Sequence, residues 1–298
     1  MPLQVVSHPD YDAGFAADHR FPMGKYTKLM EALRDRDLLE GLSVPEPMPA
    51  AWLKLAHDPT YVDQVIGCSV PQRIEKEIGF AVGERVSRRA QLAAGGTLLA
   101  ARLALAHGVA CNTAGGSHHA RRTQGAGFCT LNDVAIASLV LLTEGLAENI
   151  LVVDLDVHQG DGTADILALE PRVFTFSMHG ERNYPVRKVA SSLDIALPDG
   201  TGDAAYLDTL GQVLPMLSGK RRWDLVFYNA GVDPHCEDRL GRLALTAEGL
   251  RERERTVIGH FRDRGIPICG VIGGGYSTDV AALAARHALL FEVAAGYA

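Results

Sequence analysis

The sequence ILVVDLDVHQGDG, residues 150–162, is the most informative segment of this chain. It opens with four apolar residues, Ile150–Val153, which is typical of a strand that is buried on both faces of a sheet. Asp154, Asp156 and His158 follow at alternate positions. Because alternate residues of an extended segment point to the same side, two carboxylates and an imidazole leave the end of this strand together. The segment therefore predicts a buried strand with polar side chains clustered at its carboxyl end.

Similar apolar runs recur along the chain, separated by longer amphipathic segments. We predict strands at Leu3–Val6, Gly108–Thr113, Ile150–Asp154, Val173–Ser177, Leu225–Asn229 and Pro267–Ile272, and helices at Gly24–Arg36, Glu84–His107, Asn132–Thr143, Ala204–Leu217, Ala247–Arg264 and Thr278–Phe291. The charge run Arg251–Arg255 is predicted to be the solvated face of its helix. Apolar strands that alternate with helices indicate a mainly parallel sheet covered on both faces. The sequence therefore predicts an α/β fold, in which residues 1–298 form a single three-layer α/β/α domain.

Composition and charge narrow the class of protein further. An apolar fraction of 47% with 22% charged residues excludes a disordered chain. A net charge of −7 argues against a nucleic-acid-binding surface, which needs clustered basic residues. Five scattered cysteines without a CxxC pair indicate a reducing compartment, and we find neither a signal peptide nor an apolar run of about 20 residues. We therefore expect a cytoplasmic protein that binds neither nucleic acid nor a membrane.

Four polar clusters follow four of the predicted strands. They are Gly115–Ala120, Asp154–Gly162, Asn229–His235 and Gly273–Tyr276. Open parallel sheets bind ligands just beyond the carboxyl ends of their strands, so all four clusters are expected at that edge. Their shared location, more than any single motif, indicates a functional site there.

Three of these polar residues suit a metal ion. Asp156 and His158 leave one strand together, and Asp233 follows the end of another. Two aspartate oxygens and one histidine nitrogen suit zinc with an open fourth position, as in catalytic sites, and iron(II) is compatible with the same ligands. His235 lies near enough to be a ligand, although we prefer it as a loop residue. A solvated turn capped by aspartates is an alternative, whereas a calcium loop would need an oxygen where His158 stands.

The charge of this ligand set implies a separate general base. Two carboxylates cancel the formal charge of the metal, so a water bound there is less acidic than in a site of three histidines. His118 and His119 are the candidate acid and base, and Asp154 and Asp161 could each orient one imidazole. Tyr276, which follows three glycines, could polarise a carbonyl and stabilise an oxyanion, although a flexible loop that happens to end in an aromatic residue is the alternative.

At these residues the sequence resembles the histone deacetylase family of the arginase/deacetylase superfamily. The resemblance covers nearly the whole chain and rests on HRFPMGKY at 19–26, GGSHHA at 115–120, GFCTLND at 127–133 and GGGY at 273–276. The short chain, with DVHQGDG at 156–162 and VDPHCEDRLG at 232–241, looks most like the compact class IV type and its bacterial relatives. The resemblance implies the arginase/deacetylase fold and zinc-dependent hydrolysis of an N-acyl-lysine amide by a metal-activated water.

The resemblance also implies a role for each site residue. It makes Asp156, His158 and Asp233 the zinc ligands. It makes His119 the main general base and then the acid to the leaving amine, with His118 as its electrostatic partner. Asp154 and Asp161 match the carboxylates behind the two histidines, and Tyr276 matches the tyrosine that polarises the carbonyl.

The same resemblance implies a substrate tunnel and a second cation. Gly127, Phe128 and Gly274 match substrate-binding positions, and Tyr184 stands where the facing aromatic is usually Phe, which leaves the polarity of the tunnel open. The family also binds a structural potassium ion. Its site is matched by Asp154, together with the backbones of Asp156, His158, Ser177 and Met178.

Several substrates and functions remain open at this point. The first is acyl-lysine in a protein or peptide, with an acetyl or a longer chain, since class IV relatives favour long fatty acyl groups. The second is a small N-acetylated amine such as an acetylpolyamine. The third is an inactive metal-binding relative used for protein interaction. A two-metal guanidine hydrolase of the arginase type is disfavoured, because Gly160 and His235 stand where that site needs aspartates.

Overall fold

The structure is a computed structural model that describes residues 1–298, and its central element is one sheet of eight strands. The strands are β1 (Gln4–Val6), β2 (Gly41–Ser43), β3 (Val109–Asn112), β4 (Ile150–Asp154), β5 (Val173–Gly180), β6 (Leu193–Leu197), β7 (Leu225–Asn229) and β8 (Ile268–Val271). Their order in the sheet is β2-β1-β3-β8-β7-β4-β5-β6, and every neighbouring pair is parallel. The predicted α/β fold with a parallel sheet is confirmed.

Ten α-helices and one 3-10 turn connect these strands. The helices are α1 (Lys25–Arg34), α2 (Ala50–Ala56), α3 (Pro59–Ile66), α4 (Gln72–Ile78), α5 (Glu84–His107), α6 (Asp133–Thr143), α7 (Asp161–Leu167), α8 (Asp203–Lys220), α9 (Ala247–Arg262) and α10 (Val280–Ala295), and the 3-10 turn is Pro9–Tyr11. Helix α5 packs with α6 and against β1, β3 and β8, while α1, α10, α9 and α8 pack on one another in succession. Most of the buried apolar residues, 86 in number, form one connected core. No helix combines the length and apolar character that a membrane span requires.

The order of the strands explains why the polar clusters meet. The four strands that precede them, β3, β8, β7 and β4, are consecutive neighbours in the sheet. Their last residues are also in register, because Asp154 pairs with Asn229, and Asn229 and Asn112 both pair with Val271. The loops that carry the four clusters therefore begin side by side at one edge.

The sequence prediction missed two strands and four helices. Strands β2 and β6 lie at the two ends of the sheet, where one side has no strand partner, so they lack the continuous apolar run of a central strand. Helices α2, α3 and α4 are seven or eight residues long and begin beside Pro49, Pro59 and Pro71. Proline is compatible with the first turn of a helix, so these prolines open helices instead of loops.

The prediction of a solvated face at Arg251–Arg255 is wrong for two of its residues. Arg253 and Glu254 are fully buried and form an ion pair with 2.6 Å between Nη2 and Oε1. Arg253 Nη1 also donates to the carbonyl oxygens of Leu155 at 3.2 Å and Gly231 at 2.7 Å. These carbonyls lie just beyond β4 and β7, so the ion pair holds the starts of two site loops together.

Candidate functional site

Two carboxylates and an imidazole converge beyond the ends of β4 and β7. One potential ligand atom from each of Asp156, His158 and Asp233 lies within 4.8 Å of the other two, and all three side chains are buried. Nδ1 of His158 lies 3.0 Å from Oδ1 of Asp156 and 3.1 Å from Oδ2 of Asp233. His235, the other candidate ligand, lies outside this group, where its Nδ1 accepts from the backbone N–H of Glu237.

The electrostatics of this group favour a bound cation. Burial and the neighbouring charge of Asp156 raise the pKa of Asp233 to about 7. Although burial opposes it, the two carboxylates raise the pKa of His158 to about 10. Buried carboxylates this close repel each other unless positive charge lies between them. The nitrogen and oxygen donors therefore fit a divalent metal such as zinc.

Each histidine of the pair His118 and His119 is held by its own carboxylate. Nδ1 of His118 lies 2.7 Å from Asp154, and Nδ1 of His119 lies 2.6 Å from Asp161. Because a carboxylate only accepts, the hydrogen bond places an N–H at Nδ1 of each ring, which leaves Nε2 for a reacting group. The two rings lie 4.1 Å apart between centroids, beside His158.

The surroundings of the two histidines give them opposite protonation states. Although burial opposes it, the charges of Asp154 and Asp156 raise the pKa of His118 to about 9. Burial and the neighbouring charge of His118 lower the pKa of His119 to about 4. At neutral pH the pair thus consists of an imidazolium beside a neutral imidazole. A pair of groups split in this way is suited to separate acid and base roles.

Sequence reasoning missed the residues that orient the two carboxylates. Arg121 donates from Nε and Nη2 to the second oxygen of Asp161, at 2.9 and 2.7 Å. Asn229 donates from Nδ2 to Asp154 at 2.9 Å. Their positions in the chain, next to GGSHHA and at the end of a strand, were the only signals in the sequence. The fold shows that both orienting carboxylates have fixed partners.

The glycine run before Tyr276 lets the backbone approach the carboxylates. A Cβ on Gly274 would lie 2.1 Å from Oδ2 of Asp233, so no side chain fits there. The N–H of Gly274 instead donates to Oδ2 of Asp156 at 2.7 Å. Burial and the charges of Asp156 and Asp233 raise the pKa of Tyr276 well above its usual value. Its phenol therefore stays protonated and can donate a hydrogen bond.

The predicted substrate residues surround the histidine pair. A Cβ on Gly127 would lie 2.5 Å from the His119 ring, and the Tyr184 ring stands edge-on to His119 with 4.8 Å between centroids. Phe128 contacts Tyr276 with 5.7 Å between centroids. Tyr184 is 41% exposed, so it lies at the outer rim.

The residues predicted for potassium lie behind this site. Asp154 pairs with Ser177 across β4 and β5, and Met178 follows Ser177 along β5. All three are buried. Potassium binding stays a prediction.

Comparison with known proteins adds independent information. The family model described as "Histone deacetylase domain" matches residues 19–291. An uncharacterized protein of Picosynechococcus sp. is 47% identical over 296 residues, which is 99% of each chain. "Histone deacetylase 2" of Arabidopsis thaliana is 28% identical over 288 residues, covering 92% of this chain and 74% of its own. A solved HDAC homolog from Aquifex aeolicus has a similar fold, with a TM-score of 0.82 at 24% identity over 99% of this chain and 84% of its own.

Proposed function

The chain belongs to the histone deacetylase family of hydrolases, and on that premise we propose that it hydrolyses the amide bond of N-acyl-lysine in a protein or peptide. The observation that carries the proposal is the meeting of three groups at one sheet edge. These are a buried ligand set, two histidines with a carboxylate each, and a protonated tyrosine. Family membership alone supports hydrolysis, and the geometry supports the division of roles.

Asp156, His158 and Asp233 would hold zinc, and iron(II) is compatible with the same donors. When bound, the metal supplies a Lewis acid that polarises the amide carbonyl and activates water. The backbone N–H groups of Gly274 and Val157 donate to one oxygen each of Asp156 and Asp233, at 2.7 and 2.8 Å. These bonds orient the carboxylates before any ion arrives.

His119 is the general base in this proposal, because its imidazole is neutral at pH 7. Its Nε2 takes a proton from the attacking water and later gives it to the lysine nitrogen as the amide bond breaks. Asp161, fixed by Arg121, holds the ring in the tautomer that this requires. His118, the imidazolium held by Asp154, stabilises negative charge that develops on the carbonyl oxygen.

Tyr276 is proposed to donate its phenolic hydrogen to the carbonyl oxygen. We expect Tyr276→Phe to lower kcat by about 10²–10³-fold, because one donor to the developing oxyanion is lost. KM is expected to change much less, since the donor acts mainly in the transition state. Steady-state kinetics on an acetyl-lysine peptide measure both constants.

The control for this variant is Tyr297→Phe, which removes a phenol beside Gly259 on α9. We expect wild-type kinetics from it. Equal kcat in Tyr276→Phe and wild type would remove the tyrosine from the mechanism.

Loss of the metal tests the proposed function itself. We expect the zinc-loaded chain to hydrolyse an acetyl-lysine peptide, to stop after chelation and to recover with added zinc. Loss of a residue that only hydrogen-bonds to a ligand typically lowers metal affinity roughly 10–100-fold. Because Asp233 is itself a proposed ligand, we expect Asp233→Asn to lower zinc affinity by more than that. Metal analysis after dialysis and peptide hydrolysis are the measurements.

The control here is Asp208→Asn, an exposed carboxylate on α8. An acetylpolyamine assayed beside the peptide separates a small-molecule hydrolase from a protein deacylase. If zinc-loaded protein turns over neither substrate class, the proposed function is wrong.

A further inference from the structure

A buried arginine of α5 lines the cavity beside the candidate metal ligands. Arg89 is 5% exposed and lines this cavity with Tyr26, Phe21, His118 and Tyr276. The cavity has a volume of about 20 Å³. That is room for roughly one water molecule. An acyl chain that enters past Phe128 and Tyr276 would therefore meet Arg89 and Tyr26, which we call the floor of the cavity.

Three residues hold the side chain of Arg89 in place through four contacts. Its Nε donates to the carbonyl oxygen of Tyr11 at 2.9 Å, and its Nη2 donates to the hydroxyl of Tyr26. The guanidinium carbon lies 4.8 Å from the ring centroid of Tyr26 and 5.7 Å from that of Phe21. A guanidinium held by two hydrogen bonds and two aromatic faces does not move aside freely. Its charge also makes the floor unfavourable for methylene groups.

The cavity walls at Gly115 and Gly116 are closed. A Cβ on Gly115 would lie 2.5 Å from Oδ2 of Asp133, and one on Gly116 would lie 2.5 Å from Oδ1 of Asn229. These backbone walls are thus packed directly against buried polar side chains. These two walls therefore leave no room for an acyl chain longer than the cavity.

Space exists on the far side of that floor. A pocket of about 450 Å³ is lined by Met30, Leu42 and Val44 together with polar and charged residues such as Glu31 and Arg34, and Tyr26 borders both this pocket and the inner cavity. The hydrogen bond between Arg89 and Tyr26 therefore lies between a cavity with room for about one methyl-sized group and a pocket that could hold a longer chain.

We propose that Arg89, held by Tyr26, is a specificity-determining residue that limits the substrate to acyl-lysine with a short chain, of acetyl size. This inference rests on the proposed function, because it concerns the acyl group of the same reaction. It favours acetyl over the long fatty acyl groups that the class IV resemblance left open.

The test is a series of peptides that differ only in the acyl group on one lysine, from acetyl through butyryl and octanoyl to myristoyl. One methylene that a pocket does not accommodate changes kcat/KM by about 10–200-fold. We therefore expect wild-type kcat/KM for octanoyl to be at least about 10²-fold below that for acetyl. Arg89→Ala is expected to raise the octanoyl-to-acetyl ratio by at least about 10-fold.

The matched control is Arg88→Ala, which removes the neighbouring, half-exposed arginine that pairs with Asp10 at the surface. Its acyl profile should equal that of the wild type. Tyr26→Ala, which opens the wall to the outer pocket, is the second variant in case Arg89→Ala does not fold, and it should shift the profile in the same direction.

Two failures can be told apart. If the wild type hydrolyses octanoyl-lysine or myristoyl-lysine as fast as acetyl-lysine, the limit at Arg89 is overturned while the deacylase function stands. An unchanged acyl profile in every folded floor variant also overturns it. If no acyl group is removed at all, the proposed function fails, and this inference fails with it.

Discussion

The His119→Ala variant is expected to hydrolyse an acetyl-lysine peptide with kcat lowered on the order of 10²-fold or more, while it keeps its zinc. The reason is that burial and the charge of His118 lower the pKa of His119 to about 4, and the proposed role of its Nε2 is that of the proton acceptor beside the ligand set. Although burial opposes it, the charges of Asp154 and Asp156 raise the pKa of its partner His118 to about 9, which favours the protonated ring and makes His118 the weaker candidate for the base. Metal analysis and steady-state kinetics on the same preparation check both parts of the expectation.

The control is His107→Ala, which removes an exposed histidine at the end of α5. It should change neither kcat nor the metal content. Unchanged turnover in His119→Ala would exclude this residue as the base. A loss of zinc in the same variant would show that His119 contributes to metal binding instead.

We expect Glu254→Ala to lower the free energy of unfolding by about 3–5 kcal/mol. Glu254 is the buried partner of Arg253, and it also accepts from the hydroxyl of Tyr228. Its removal leaves a guanidinium uncompensated in the core, which is more costly than replacing both charges by apolar groups. Denaturant unfolding followed by circular dichroism measures the change.

Glu252→Ala is a matched control in the same helix, because Glu252 is exposed and pairs only with exposed Arg255. We expect it to stay within about 0.5 kcal/mol of the wild type. The double variant Arg253→Met with Glu254→Ala should be more stable than Glu254→Ala alone, because it also removes the buried guanidinium that has lost its carboxylate partner. A cost near zero for Glu254→Ala would show that the buried pair contributes nothing net.

The central strands were predictable because a strand that is buried on both faces consists mainly of apolar residues. Ile150–Val153 and Leu225–Tyr228 are unbroken apolar runs, and both became central strands. Strand β6 alternates exposed and half-buried positions, and β2 has only three residues. A strand at either end of the sheet is stabilised by pairing with one neighbouring strand, and the local sequence does not show which segment that neighbour is.

The polar clusters were predictable for a related reason. Alternate spacing in a strand end brings Asp154, Asp156 and His158 to one side, and parallel strands present their carboxyl ends at one edge. The sequence alone therefore determined the residue types of the site and their common edge. It could not determine which strands are neighbours, and the order β3-β8-β7-β4 is what brings the four clusters together.

Only the tertiary structure identified the three arginines whose side chains hold groups at the edge of the site in place. Each of them donates a hydrogen bond to a residue that is distant in the chain. The sequence separation is 40 residues for Arg121 and Asp161, 63 for Arg89 and Tyr26, and 98 for Arg253 and Leu155. In the sequence each of the three has a charged neighbour, and the run that contains Arg253 was predicted to be a solvated helix face. A basic residue has the same local pattern whether its side chain meets water or a buried acceptor, because that choice depends on which distant segment packs over it. Composition and spacing thus determined the chemistry available to this chain, and packing between distant segments decided which charges support it and how far its cavity extends.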